Sequence, residues 1–304
     1  MIKQMLYFSS PVKLNIKNNQ LRIVFNHDDN KNENAEICRP IEDIGIVVID
    51  TPQIVLTSAV LSCLVANGIA ILCCDNKHMP AGLMLNLNSN SVQAERFQTQ
   101  LNVSIPLKKR LWQQTVSSKI YNQAIVLYRL SGKRHVTLTR YMNNVKSGDT
   151  DNIEGRAAAY YWKNIWSKDT NFKRSRDGEE PNSLLNYGYA ILRAIVCRAL
   201  VSSGLHLTLG IFHKNKYNPY CLADDIMEPY RPFVDYKVAE IFFSNPDASL
   251  EDKNIKRELM AIATEDVVIE GRKRPLMVGV SETTASLYRC YSGELRKIKY
   301  PVME

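Results

Sequence analysis

Long apolar runs are missing from this sequence of 304 residues. No run reaches the roughly 18 residues that a membrane span needs, because the longest candidate, 54–74, is interrupted by polar residues. The opening residues hold one lysine and no extended apolar stretch, so they do not resemble a secretory signal. The sequence therefore predicts a cytoplasmic protein without a membrane segment.

Cysteine motifs are missing as well. The seven cysteines are odd in number, no two have Cys-X-X-Cys spacing, and none lies beside a histidine at ligand spacing. Cys73 and Cys74 are neighbours, and such pairs rarely form disulfides. The pattern excludes the usual zinc motifs and predicts reduced, buried thiols.

Positive charge is present in excess, but only in one part of the chain. The formal net charge is +8; residues 1–90 hold 7 Lys/Arg against 8 Asp/Glu, and the remainder holds 32 against 23. The first part therefore has a net charge of −1 and the second +9. A basic region of this kind suggests a polyanionic partner such as nucleic acid. From charge alone, a solvated basic surface is an equally good interpretation.

The residue pattern changes near residue 86. Residues 1–85 contain five or six short β-branched runs and one helical pattern, which predict a β-sandwich domain. After the polar segment 86–91, helical patterns dominate 86–304 and predict a larger all-α domain that carries the functional site. Four of these patterns span 106–130, 182–203, 219–243, with a kink expected at Pro229, and 282–297. The predicted fold class is α+β.

A pair of acids lies in the segment NPYCLADDIMEPYRPFVD. Asp225 and Glu228 are three positions apart and Asp224 and Glu228 four, so each pair shares a helix face. Carboxylates on one face repel by roughly a few tenths of a kcal/mol in solvent, and a buried pair needs a basic side chain or a bound metal. The alternative is an exposed acidic first turn, which the helix dipole favours.

Two further residues can complete a metal site with this pair. His213 follows the apolar segment LHLTLGIF, in a loop that can fold back over the acidic helix. Glu154 lies in the first turn of another predicted helix, 151–166. A set of Asp, Glu and His suits Mg²⁺ or Mn²⁺. The alternatives are a solvated histidine and a capping-box glutamate paired with Asp151.

Cations and aromatic residues alternate in the same region, as in proteins that hold DNA. The candidates for DNA contacts are Lys173, Arg174, Arg176, Tyr187, Lys214, Lys216 and Arg231. For any one of them, a solvated cation or a core aromatic is the simpler interpretation.

Two segments resemble the motifs of one known family. The run from NSLLNYGYAILRAIV to CLADDIMEPYRPFVD, residues 182–235, resembles the signature of the CRISPR-associated spacer integrase, the larger of the two universal spacer-acquisition proteins. The segment IEGRAAAYYW resembles the second motif of that family. The length and short loops resemble the form found in type II systems. The resemblance covers the basic domain strongly and residues 1–85 only by layout.

The resemblance implies specific roles for the residues above. Glu154, His213 and Glu228 match the family's metal ligands and catalytic residues, with Mg²⁺ or Mn²⁺ as cofactor. Asp225 matches a supporting acid, whereas Asp224 has no counterpart. The implied reaction is attack by a prespacer 3′-hydroxyl on a phosphodiester at the edge of a CRISPR repeat. Nuclease activity on branched DNA would use the same site.

The resemblance also implies partners. The N-terminal domain would form a homodimer, and a dimer of the smaller adaptation protein would bridge two such dimers into a heterohexamer. The substrates would be double-stranded DNA, both prespacer and repeat, and other type II CRISPR proteins would be further partners. Two alternatives remain open: a non-catalytic DNA-binding scaffold and a metal-dependent RNase.

Overall fold

The computed structural model of the protein describes residues 4–25, 36–166, 172–175 and 178–304. The chain divides into two units, Met1–Ser91 and Val92–Glu304. The predicted boundary between residues 85 and 86 lies at the start of the polar segment that ends the first unit.

The described residues of the N-terminal unit form eight strands and one α-helix. The elements are β1 (Gln4–Phe8), β2 (Val12–Lys17), β3 (Gln20–Phe25), β4 (Glu36–Pro40), β5 (Ile44–Ile49), β6 (Ile54–Leu56), α1 (Ser58–Ala66), β7 (Ala70–Cys74) and β8 (Pro80–Met84). The strands make two four-stranded sheets, in the orders β1-β5-β7-β8 and β4-β3-β2-β6. The N-terminal strands that the sequence predicted are confirmed.

Local residue patterns explain this architecture. Strands β2 and β3 form a hairpin, in which Asn18 and Asn19 both adopt the positive φ that a two-residue turn of type I′ requires. Strand β5 is apolar at almost every position and is buried throughout, as expected for a strand covered on both faces. The two sheets share one hydrophobic cluster, to which Leu14 and Leu21 contribute from one sheet and Val47 and Ile71 from the other.

The described residues of the C-terminal unit form nine α-helices and two strands. The elements are α2 (Gln93–Leu101), α3 (Ile105–Ser131), α4 (Val136–Asn143), α5 (Ile153–Ile165), α6 (Asn182–Ser202), α7 (Cys221–Met227), α8 (Arg231–Ser244), α9 (Lys253–Met260), β9 (Asp266–Ile269), β10 (Arg272–Pro275) and α10 (Leu276–Tyr291). Short 3-10 segments lie at Ile41–Asp43, Glu228–Tyr230 and Ala261–Thr264.

The prediction of an all-α C-terminal domain is wrong, although the α+β class is confirmed. Strands β9 and β10 pair as an antiparallel hairpin around Glu270 and Gly271, which both have positive φ. The three apolar residues 267–269 are buried, and the chain then enters α10 at Leu276 rather than at the predicted residue 282. A short apolar run before a Glu-Gly turn forms the hairpin in a segment before residue 282 for which the sequence predicted neither helix nor strand.

The predicted helix 219–243 is divided into α7, a 3-10 turn and α8. Pro229 has no N–H to donate, which interrupts the α-helical hydrogen bonds at this point, as its position predicted. The buried amide of Asn122 on α3 donates to the carbonyl of Pro229 at 2.8 Å and so holds the interruption in place. As a result, Glu228 lies at the break between two helices and faces α3.

Helix α6 is long and apolar enough to cross a membrane by length and composition, and 72% of its most apolar window is buried inside the protein. That burial is typical of a core helix. It packs closely on α8, since a Cβ atom at Gly188 would lie 2.5 Å from Val234.

Candidate metal and DNA site

A cluster of buried charges joins α3, α5 and the 3-10 turn. The ammonium of Lys119 lies 2.7 Å from Oε1 of Glu154 and 2.6 Å from Oε2 of Glu228. Glu228 is only 7% exposed at its side chain, and Lys119 only 12%. One cation therefore links the two glutamates that the sequence places 74 positions apart.

Glu228 is held in its ionised form. Burial alone would raise its pKa, but the charges of Arg231 and Lys119 outweigh burial and lower the pKa of Glu228 to about 2. Arg231 Nε donates to Oε1 at 2.9 Å. The other oxygen, Oε2, is buried and contacts Lys119 without receiving a hydrogen bond of good geometry from any described residue. Glu228 therefore presents a buried, charged acceptor atom.

Lys119 is likewise charged. Burial favours the neutral amine, but the charges of Glu228 and Glu154 outweigh it and raise the pKa of Lys119 above its usual range. The two glutamates and the two cations, Lys119 and Arg231, thus form a cluster with no net charge.

The loop that carries His213 is wrapped around the carboxylate of Asp225, which is fully buried. The N–H groups of Ile211 and Phe212 donate to Oδ2 at 2.6 and 3.0 Å, and the N–H of His213 donates to Oδ1 at 3.2 Å. The Nδ1 atom of His213 lies 2.6 Å from Oδ1. Because Nδ1 is engaged, Nε2 is the ring nitrogen that a ligand or metal can use.

The electrostatics connect His213 to the two glutamates. The hydrogen bond to Asp225 raises the pKa of His213 against the effect of burial, and the negative charges of Glu228 and Glu154 raise it further. The imidazole therefore lies in the field of both carboxylates.

Packing fixes the loop from both sides. Phe212 stacks on Trp112 of α3 with ring centres 4.4 Å apart, and the edge of His213 meets the same ring at 5.6 Å. A Cβ atom at Gly210 would lie 2.4 Å from the carbonyl of His213 and 2.9 Å from Oδ2 of Asp225. Only glycine lets the loop close this tightly around the aspartate.

The structure removes two of the alternatives. The carboxylate of Glu154 pairs with Lys119, and the N–H groups of Ile153 and Glu154 are bonded to Asp149, so the predicted capping box with Asp151 is not formed. Glu228 is buried and is not part of an exposed acidic turn.

The structure shows which residues Asp224 contacts. Its carboxylate accepts from Arg193 at 2.8 Å and from Asn218 at 2.6 Å. Asp224 therefore pairs with α6 and the preceding loop rather than with Lys119.

The donor set fits a divalent metal. Two carboxylates and one imidazole nitrogen suit Mg²⁺ or Mn²⁺. The buried Oε2 atom of Glu228 already contacts one cation, the ammonium held between the two glutamates. Within the described parts of the chain, no three His, Cys, Asp or Glu side chains are close enough to share an ion without moving. A metal at this position would require the side chains to close around it.

Comparison with known proteins identifies the family. Residues 6–246 match the family model described as CRISPR associated protein Cas1. The chain belongs to this family. The family predicted from the two sequence motifs is thereby confirmed. The match ends before β9, β10 and α10, so the hairpin that the sequence did not predict lies outside it.

Relatives of this family resemble the chain in sequence and in fold. A protein named CRISPR-associated endonuclease Cas1, from Neisseria meningitidis serogroup C (strain 8013), is 36% identical over 251 residues, which are 81% of each chain. A structure described as "Casposase bound to integration product" aligns with a TM-score of 0.77 at 20% identity, over 98% of this chain and 93% of that one. At this identity the likeness is one of fold.

A second solved structure is described as "Cas6-RT-Cas1--Cas2 complex". It aligns with a TM-score of 0.71 at 18% identity, over 99% of this chain and 36% of that one. The likeness again concerns the fold.

The predicted DNA-contacting residues differ in their surroundings. Lys214 and Lys216 are exposed directly after His213, and the Lys216 ammonium lies 4.7 Å from the centre of the Tyr217 ring. Tyr217 is 81% exposed, which is unusual for an aromatic side chain. Lys173 is exposed as well. These side chains are placed where a DNA backbone could reach them.

Other candidates from the sequence have structural partners instead. Arg231 bonds Glu228 and lies 4.6 Å from the centre of the Tyr189 ring. Arg174 donates to the side-chain oxygens of Asn182 and Asn186 on α6 at 3.0 and 2.6 Å. Both cations are thus used within the fold, although each remains partly exposed.

The assignment of Tyr187 to DNA binding needs correction. Its side chain is fully buried among the core residues of α6, so its ring cannot stack on a base from the surface. Its position in an apolar helical stripe would have indicated the core. The prediction for Arg176 concerns a residue that lies outside the described residues.

Two residues of the site were not predicted from sequence, Lys119 and Trp112. Both lie on the buried face of α3, with Thr115, Val116 and Ile120. A lysine at a helical core position is uncommon, and that spacing was the available signal.

A cavity of about 200 Å³ adjoins the charged cluster. Lys119, Glu228, Arg231, Trp162 and Tyr189 are among the residues that line it. Cations and aromatic rings on its walls suit a phosphate and an adjoining sugar or base.

Proposed function

We propose that the protein is a metal-dependent DNA integrase and endonuclease of CRISPR adaptation. The observation that carries this proposal is that one ammonium links Glu154 to the buried, ionised Glu228, while a buried aspartate holds His213 in the field of both carboxylates. The name of the Neisseria relative and the described casposase product complex support both halves of the activity.

In this proposal, oxygen atoms of Glu154 and Glu228 and the Nε2 atom of His213 hold one Mg²⁺ or Mn²⁺ ion. A divalent ion bound there would polarise the scissile phosphate and offset the charge that develops on the attacking and leaving oxygens. The three ligands are also the residues we assign to catalysis.

The surrounding residues prepare these ligands. Asp225 accepts a hydrogen bond from Nδ1–H of His213, which orients the ring and leaves the lone pair of the neutral imidazole on Nε2. Arg231 bonds Oε1 of Glu228 and helps to keep the carboxylate ionised, while Phe212 stacked on Trp112 limits the movement of the loop.

The proposed reaction is a transesterification. The 3′-hydroxyl of a prespacer strand attacks a phosphodiester at the edge of a CRISPR repeat, and no covalent bond to the protein is formed. With water as the nucleophile, the same site would cleave branched DNA. Lys214, Lys216 and Lys173 would neutralise phosphates of the double-stranded substrates, so binding should weaken steeply with salt.

The proposed assembly follows the same reasoning. One structure with this fold is described as a "Cas6-RT-Cas1--Cas2 complex", which supports a smaller adaptation protein as partner. We extend this to a heterohexamer in which two homodimers, formed through the N-terminal unit, flank a dimer of that partner. Other type II CRISPR proteins are further candidate partners, and we expect the assembly in the cytoplasm.

Strand transfer into a supercoiled plasmid that carries a repeat tests the proposal. Wild-type protein should act with Mn²⁺ or Mg²⁺ and lose activity in EDTA, and Glu154→Gln, His213→Ala and Glu228→Gln should each be inactive while folded. Asp151→Asn is the matched control, because Asp151 pairs with Lys146 at the surface. DNA processing that survives EDTA would contradict the proposal, and preferential cleavage of RNA in competition would indicate an RNase.

A further inference from the structure

Lys119 occupies a position that its side chain seldom takes. It projects from the buried face of α3, and its ammonium meets one oxygen from each of two glutamates, Oε1 of Glu154 and Oε2 of Glu228. The glutamates come from different elements, α5 and the turn before α8. The lysine therefore connects three segments of the chain at one point.

Without this ammonium the two carboxylates would lie together in a region of low dielectric constant. Uncompensated buried charge is strongly destabilising, because the charges lose solvation and repel each other. Among the described residues, Arg231 forms its ion pair with Oε1 of Glu228 and none with Glu154. Lys119 is the described cation that contacts both glutamates.

A divalent ion would need the same two oxygens. Mg²⁺ and its ligand oxygens lie about 2.1 Å apart, so an ion shared by Glu154 and Glu228 would take the space between them. The ammonium occupies that space, at 2.7 and 2.6 Å from the same atoms. Ammonium and metal cannot be there together.

The net charge of the cluster also indicates that Lys119 and a divalent ion do not occupy it together. The cluster of Glu154, Glu228, Lys119 and Arg231 is neutral as it stands, so a divalent ion added to it would leave two excess positive charges in a buried site. Departure of the lysine reduces this excess. A path exists, because Lys119 has a long flexible side chain, is partly exposed and lines the adjoining cavity of about 200 Å³.

We propose that Lys119 is a positioning residue that serves as an internal counter-ion. It holds Glu154 and Glu228 together before metal arrives, and it leaves their oxygens when the metal binds. This inference rests on the proposed function, since it takes both glutamates as metal ligands. It predicts that the metal must displace a buried ion pair, so wild-type affinity for metal is lower than the ligands alone would give.

Replacement of Lys119 by methionine keeps the packing of the stem and removes the charge. Metal-free Lys119→Met should melt about 5–10 °C below wild type, because the buried carboxylate of Glu228 and the partly buried carboxylate of Glu154 lose their shared counter-ion. Its affinity for Mn²⁺ should be about tenfold higher, because the ion no longer has to displace an ammonium from the two carboxylates. Mn²⁺ should therefore raise the melting temperature of the variant more than that of wild type.

Matched variants separate this account from a loss of packing. Lys108→Met on the same helix is the charge control, because the structure pairs the Lys108 side chain with none of the described residues. The triple variant Lys119→Met, Glu154→Gln, Glu228→Gln should regain most of the metal-free stability, since neither position carries an uncompensated negative charge and the amide oxygen at position 228 can still accept from Arg231. If Lys119→Met does not fold, Lys119→Gln replaces it.

Melting curves and calorimetric titration with MnCl₂ decide between the outcomes. Lower metal-free stability, recovery in the triple variant and tighter Mn²⁺ binding would support the proposal. Mn²⁺ binding that is unchanged or weaker in Lys119→Met would overturn the displacement while the metal site stands. Stability coupling without any Mn²⁺ binding by the wild-type protein would instead overturn the proposed metal site, and the displacement with it.

Discussion

The described residues of this protein contain two aspartate–histidine pairs, one in each unit. In the N-terminal unit, Nδ1 of His78 lies 2.7 Å from Oδ1 of Asp50; in the C-terminal unit, Nδ1 of His213 lies 2.6 Å from Oδ1 of Asp225. In both pairs the aspartate is buried and the histidine is partly exposed, by 54% and 39% of its side chain. By geometry alone, the pairs are nearly the same.

The residues around the two pairs differ in ways that matter for metal binding. The carboxylate of Asp225 accepts hydrogen bonds from three backbone N–H groups of the histidine loop, whereas that of Asp50 accepts from the hydroxyl of Tyr7 at 2.6 Å. The charges of Glu154 and Glu228 act on His213. In the described part of the chain, His78 is paired with no carboxylate other than Asp50. A buried aspartate orients a histidine, but the two glutamates make the second pair a candidate metal site.

Removing the imidazole of His213 or that of His78, in separate variants, should give the largest difference in strand-transfer rate. His213→Ala should reduce strand transfer about 10³-fold, equivalent to about 4 kcal/mol in the activation free energy, because a metal ligand is lost. His78→Ala should change it less than about twofold, since the expected loss is confined to a hydrogen bond in the other unit. Rates measured with saturating DNA and Mn²⁺ check this. Equal losses in both variants would contradict the comparison.

Neutralising Asp225 or Asp50, in separate variants, should give the next largest difference in strand-transfer rate. Asp225→Asn should lower activity about 10–100-fold, because the residue that orients a metal-bound histidine is altered. Asp50→Asn should leave the rate nearly unchanged and lower the free energy of unfolding by about 1–3 kcal/mol, since a buried hydrogen-bonded group loses its best partner. Denaturant titration beside the rate assay separates the two effects. A larger rate loss in Asp50→Asn would reverse our assignment.

The pH dependence of activity should report on His213. Asp225 and the glutamates raise the pKa of His213, so the imidazole ring stays protonated up to a higher pH than an ordinary histidine. A protonated ring cannot bind metal, so metal binding requires a pH above this raised pKa. Activity should rise as pH increases through a midpoint above the ordinary histidine pKa, and should fall about tenfold per pH unit below it. More Mn²⁺ should move this midpoint to lower pH, since metal and proton compete. A midpoint independent of Mn²⁺ would exclude His213 as the competing ligand.

Two glycines allow a smaller and sharper test. A Cβ atom at Gly210 would approach the carbonyl of His213 to 2.4 Å, whereas one at Gly82 in β8 would meet only Cβ of Cys73 at 3.9 Å. Gly210→Ala should therefore cost about 1–3 kcal/mol of stability through forced displacement of the loop, and Gly82→Ala should be close to neutral. Thermal denaturation of both variants measures the difference, and a neutral Gly210→Ala would show that the loop is not closely packed.

Much of the fold followed from local patterns. The helices α3 and α6 were predicted within a residue or two, because Ser104, Pro106 and Gly132 mark the ends of α3 and a long apolar pattern defines α6. The hairpin of β9 and β10 was missed because its apolar run is short and lies between helical patterns. Tertiary burial of residues 267–269, rather than local preference, fixes it as a strand.

The site was less accessible to sequence reasoning. Spacing placed Asp225 and Glu228 on one face, but the break at Pro229 gives them different partners, the His213 loop and Lys119. No spacing could bring Glu154 to Glu228, since that contact is made through Lys119 on a third helix. The resemblance to a family supplied what the spacing lacked, and the assignment of the three ligands is still a prediction.

A crystal soaked in Mn²⁺ tests the central claim most directly. Anomalous diffraction should show one strong peak in each chain, within ligand distance of Glu154, Glu228 and Nε2 of His213, with the ammonium of Lys119 moved away from both carboxylates. Asp50 and His78 should show no peak. Absence of a peak at Glu154 and Glu228, or a peak at Asp50 and His78 instead, would contradict the account.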